Sequence, residues 1–121
     1  MPIVLGVDHE RKQVDAVGIG AVSYADVENH LLAERHFGGI AYKEFIDGRA
    51  AEVHWTAREA QKIVELIRRL AVESKFGPTA VLVSNDVAFG VMRMLEILVE
   101  DTAEVRPFRS EDKARAWLAL K

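Results

Sequence analysis

At 121 residues the chain has the length of one domain, and half of its residues are hydrophobic, enough to bury a core without disulfides or metal. It has no cysteine, which excludes disulfide frameworks, thiolate nucleophiles, cysteine-bearing zinc sites and iron–sulfur clusters and agrees with a reducing, cytoplasmic setting. A net charge of −3 with both signs interspersed gives no field for phosphate backbones, so nucleic acid is not an expected partner.

The opening run, Met1-Pro2-Ile3-Val4-Leu5-Gly6-Val7, meets Asp8 almost at once, carries no basic leader and is far too short to span a membrane. Residues 3–7 and 13–22 are β-rich and are separated by the polar spacer Asp8-His9-Glu10-Arg11-Lys12, which predicts a hairpin. In the second run Val17 and Ile19 share one face, while Gly18 and Gly20 leave the other bare enough for a backbone or ligand to approach.

Ser23 with Asp26 three residues on is a helix start, and Tyr24, Val27 and Leu31 follow at helical spacing until Phe37-Gly38-Gly39. Residues 40–46 read as a third strand closed by an Asp47-Gly48 turn, with 49–55 as a connection. Thr56-Ala57-Arg58-Glu59 is a capping box for a long second helix, whose stripe of Ala60, Ile63, Val64, Ile67, Leu70 and Ala71 predicts a buried face ending before Gly77-Pro78.

Residues 79–83 form a continuous apolar strand of the kind covered on both faces, placed centrally in a parallel sheet. Ser84-Asn85-Asp86 caps a helix over 87–99. Residues 103–108 form a last strand, marked as an edge by Pro107, and Ser110 caps a terminal helix with Ala114, Trp117 and Leu118. The predicted order is ββαβαβαβα: a single α/β domain over 1–121, with a mixed, mostly parallel five-stranded sheet and four helices.

Motifs for chemistry are sparse. Gly18-Ile19-Gly20 lacks the third glycine and the Lys-Ser/Thr pair of a phosphate loop, so the glycines read as relief of crowding. His9, His30, His36 and His54 show no metalloenzyme spacing, and no nucleophile–base pair or cofactor fingerprint is present. The expectation is therefore a non-enzyme without metal or cofactor. Asp47 and Asp86 both follow strands that should run parallel, which places them at the carboxyl edge where open α/β sheets bind ligands. Each also has a local role, Asp47 in a turn and Asp86 with Asn85 in a cap.

Several segments together resemble a known family. Ser84-Asn85-Asp86-Val87-Ala88-Phe89-Gly90, Arg93-Met94, Phe108-Arg109 and Ala114-Arg115-Ala116-Trp117-Leu118 are similar to the SpoIIAA-like branch of the STAS fold, as are Val7-Asp8-His9 and Phe45-Ile46-Asp47. The resemblance spans nearly the whole chain. It implies a small cytoplasmic bacterial domain akin to anti-sigma-factor antagonists and, more distantly, to the lipid-binding CRAL-TRIO shape. The Asp-Ser-Ser-Gly stretch phosphorylated in true antagonists is missing, and Asp47-Gly48-Arg49 diverges from it. Thr56 stands at roughly that place, where a helix amino terminus favours a phosphate, and is the candidate phosphorylation site as well as a plain cap.

Two functions follow as expectations. One is a non-catalytic regulatory module that binds a protein partner, or a second copy as a homodimer, through Asp47, Thr56, Asn85 and Asp86. The alternative is a carrier of a small apolar, lipid-like ligand held between sheet and helices with Trp55, Phe89 and Met92.

Overall fold

The computed structural model describes residues 2–121. Strands β1 (Ile3–Asp8) and β2 (Gln13–Ala21) form the expected antiparallel hairpin. Its turn is fixed by the Asp8 side chain, which accepts from the Arg11 amide at 3.0 Å, and by Lys12 in the left-handed region at φ 55°. Then come α1 (Tyr24–His36), β3 (Lys43–Glu52), α2 (Ala57–Ala71), β4 (Thr79–Leu82), α3 (Asp86–Val99), β5 (Val105–Phe108) and α4 (Glu111–Ala119). The five strands lie side by side in chain order, and every pairing after the hairpin is parallel.

Side-chain oxygens start all four helices: Ser23, Thr56, Asn85 and Ser110 each accept a backbone N–H from the first turn, and Ser23 and Thr56 complete reciprocal capping boxes with Asp26 and Glu59. At β5 the edge position suits Pro107, which has no N–H to give a further strand.

The third strand departs from the sequence reading. It starts three residues later than expected and runs on to Glu52, so Asp47-Gly48 is inside the strand and is not a turn. Parallel pairing along β2, from Gln13 opposite Lys43 to Ala21 opposite Glu52, outweighs the local turn preference of Asp-Gly. Gly48 serves close approach instead, because a Cβ there would stand 3.1 Å from the Leu82 carbonyl oxygen. In the strand order β3 is the middle strand, and β4 lies between it and the edge strand β5.

Two cores result. The larger lies between one sheet face and α1–α3 and is centred on Ile63, Val64, Leu66 and Val99. The smaller joins Phe45, Ala80 and Leu82 on the other face to Ala114 and Leu118 of α4. Each fully buried aliphatic side chain contributes about 1.5–3 kcal/mol. Alternation along β3 therefore sends Phe45 toward α4 and Ile46 toward α1–α3.

Candidate functional site: a buried His-Glu-Glu cluster beside an apolar cavity

Helix α1 does not bury a purely apolar stripe. His30 and Glu34, one turn apart and so on the same face, both point inward, and Glu44 meets them from the inward face of β3. His30 Nε2 is 2.6 Å from Glu34 Oε1 and 2.7 Å from Glu44 Oε2, and the three side chains are only 5%, 3% and 5% exposed. The Nε2–H is aligned on Glu44. Glu34 Oε1, although close, receives no hydrogen bond, and His30 Nδ1 has no partner among the described residues.

Burial of this kind disfavours every charge, and the cluster responds as a unit. Burial pushes His30 toward its neutral form, but the two carboxyl groups in contact with its Nε2, those of Glu34 and Glu44, overturn that and raise its pKa to about 10. For Glu34, burial comes first and the Glu44 charge second, and together they outweigh His30 and push its pKa up to about 9. The cluster therefore favours a proton on the imidazole and the neutral form of Glu34.

Beside it lies a cavity of about 140 Å³. Its walls run from Phe76 and Ala103, near the amino ends of β4 and β5, to Gly18 and Ala51, near the carboxyl ends of β2 and β3. Among the described residues, His30 and Glu44 are the only charged or titratable groups in its lining. The bare glycine face expected on β2 is real at Gly18, where a Cβ would stand 3.3 Å from that of Ala51.

No protein-family model and no curated protein matches the chain. Among solved structures it is similar to an uncharacterised protein of the DUF3478 family with a SpoIIAA-like fold from Shewanella loihica PV-4, at a TM-score of 0.59 and 18% identity, covering 96% of this chain and 93% of that one. This chain has a SpoIIAA-like fold. At that identity the likeness carries architecture and no activity.

Within the SpoIIAA-like frame the residues singled out from sequence separate into three places. Trp55 reaches the cavity, together with Met92, and its indole N–H donates to the Val22 carbonyl at 2.8 Å. Asp47, Asn85, Asp86 and Phe89 sit near the carboxyl end of β4, with Asp47 opposite Leu82 in the parallel register. Asp47 is clamped by Arg49 at 3.0 and 2.8 Å, and those hydrogen bonds hold its carboxyl below the usual range. Asp86 pairs with Arg109, whose guanidinium lies 4.7 Å over the Phe89 ring, so Phe89 packs at the surface end of the core and does not line the cavity. Asn85 accepts from the Ala88 amide as a cap, and Thr56 is an exposed cap held by Glu59.

Sequence reasoning considered His30 only against the other histidines and missed Glu34 and Glu44. Both were readable. The spacing of Tyr24, Val27 and Leu31 lands next on Glu34, and two residues before inward-facing Ile46 stands Glu44. A charge at a core position of the pattern was the available signal.

Proposed function

We propose that this chain is a non-catalytic binding module whose cavity takes one small apolar molecule with its polar end at His30 and Glu44. The cavity carries the reading. Its volume, about 140 Å³, is close to the roughly 150 Å³ at which an apolar-lined site stays dry and accepts a benzene-sized guest. Against catalysis, the lining offers one hydroxyl side chain, Thr79, and the acid–base cluster is almost wholly buried.

Native mass spectrometry and thermal shift with phenol and indole test this proposal. Saturable binding of one molecule per chain, lost in Ala51→Leu, which fills the cavity, supports it. Equal binding by the wild type and the filled variant sinks it.

A second reading, a module that docks on a second copy of itself, rests on α3. Val87, Met94, Ile97 and Leu98 are exposed on one side of this helix, with Val87 at 68% and Ile97 at 56%, and Gly90 between them has open space above it. Antiparallel α3 pairing would seat a large side chain over each Gly90. Sedimentation of the wild type and Ile97→Lys reads this directly: a dimer that the lysine dissociates is expected, and a monomer at high protein concentration ends the reading.

A further inference from the structure

We propose that His30, Glu34 and Glu44 form a site for one divalent transition-metal ion, bound through His30 Nε2, Glu34 Oε1 and Glu44 Oε2, with its open coordination positions toward the apolar cavity. The donors stand on rigid elements, two on α1 one turn apart and one on the neighbouring strand, and their ligand atoms lie within 4.8 Å of one another. Without metal the cluster has a specific deficiency. A single N–H at Nε2 faces two carboxyl groups and is aligned on Glu44 alone, which leaves Glu34 Oε1 buried, 2.6 Å from the same nitrogen and without a hydrogen bond among the described residues. A cation at the point where the three atoms converge satisfies all of them at once.

The charge also closes. On loading, His30 and Glu34 each release a proton to solvent, and neutral imidazole, two carboxylates and a dication then sum to zero, as a core requires. The present separations of 2.6 and 2.7 Å are those of a hydrogen-bonded cluster. Metal bonds of about 2.0–2.2 Å hold donors roughly 3.2 Å apart, so loading needs an opening of about half an ångström. The cavity that His30 and Glu44 line gives room for it. Among the described residues His30 Nδ1 lacks a partner whether Nε2 carries a proton or a metal, so that atom does not discriminate between the two states. A set of one nitrogen and two carboxylate oxygens selects Zn²⁺, Co²⁺, Fe²⁺ or Mn²⁺. Ca²⁺ wants six or more oxygens, and Cu⁺ prefers sulfur. Three protein ligands leave at least one position for water or for the polar head of a guest.

The test needs no organic ligand, so it can succeed or fail independently of the cavity's occupancy. The full chain is stripped with a chelator and titrated with Zn²⁺ and Co²⁺ by calorimetry, absorbance and thermal denaturation. Expected are one ion per chain, a Tm that rises with metal concentration, and a low-coordinate Co²⁺ spectrum. Affinity should fall at least tenfold in Glu34→Gln and in Glu44→Gln but be unchanged in His9→Ala and His54→Ala, which remove exposed imidazoles. If a glutamine variant fails to fold, nitrogen NMR of the unaltered protein still reads the site, because Zn²⁺ at His30 moves Nε2 and not Nδ1. No bound ion, or binding that survives both glutamine variants or is lost with a surface histidine, overturns the proposal.

Discussion

His30 Nε2 stands 2.7 Å from Glu44 Oε2, a contact between a helix and a strand whose residues are 14 apart in sequence. It ties the first helical layer to the middle of the sheet through two almost wholly buried side chains.

The pH dependence of the metal-free protein should run against ordinary acid denaturation. Both shifted groups of the cluster are raised in the fold. His30, ordinarily at 6.5 and here about 10, contributes stability that is complete below 6.5 and disappears as pH rises through 10. Glu34, ordinarily at 4.5 and here about 9, stays protonated in the fold while the unfolded chain ionises, so it also favours folding less as pH rises. Stability should fall from about pH 4.5 upward, by up to roughly 1.4 kcal/mol per unit for each extra proton the fold holds. Urea midpoints between pH 5 and 9 in chelator check the sign, and a rising or level curve would contradict it.

Removing the cation and removing one acid should differ sharply. His30→Ala leaves two carboxyls facing each other in the core and should cost about 3 kcal/mol or more. Glu34→Gln replaces a neutral acid by a neutral amide that can donate to Glu44, at a cost below about 1 kcal/mol. Denaturant titrations at pH 7 measure both, and equal losses would mean that Glu34 is ionised in the fold.

Thr56→Ala should lose about 1 kcal/mol, the usual worth of a cap. The loss has a stated origin, the Glu59 amide that donates to Thr56 Oγ1 at 3.1 Å. Thr56→Asp keeps an oxygen acceptor and should recover most of it. A Thr56→Ala variant as stable as the wild type would show that the capping box carries no weight.

The same substitution at two glycines should have opposite signs. A Cβ at Gly77 would overlap the carbonyl oxygens of Tyr42 and Ala41, backbone atoms that cannot swing aside, and Gly77→Ala should destabilise by several kcal/mol or prevent folding. At Gly90, inside α3 with nothing within 4 Å, Gly90→Ala should stabilise by about 0.5–1 kcal/mol. Thermal denaturation of the pair decides the point.

The elements were legible wherever local chemistry and tertiary packing agree: the four caps, the hairpin and the edge proline stand where the sequence put them, and so does the stripe of α2, except that it also buries Leu66 and leaves Ala71 half-buried. They failed to agree at β3. Asp47-Gly48 is turn chemistry taken alone, and only the neighbouring strand tells it to stay extended. The candidate site was hidden for a related reason. Its three members come from two elements, and the polar residues on α1 look like an imperfect helix until Glu44 supplies their partner.

Because the strands stand in space in the order in which they are made, each can join the one synthesised just before it, and the sheet needs no strand inserted later between two others. The second layer is different. Phe45, Ala80 and Leu82 are covered chiefly by α4, with Phe108 at the margin, so this greasy underside waits, open to aggregation or a chaperone, until the segment Glu111–Ala119 has left the ribosome.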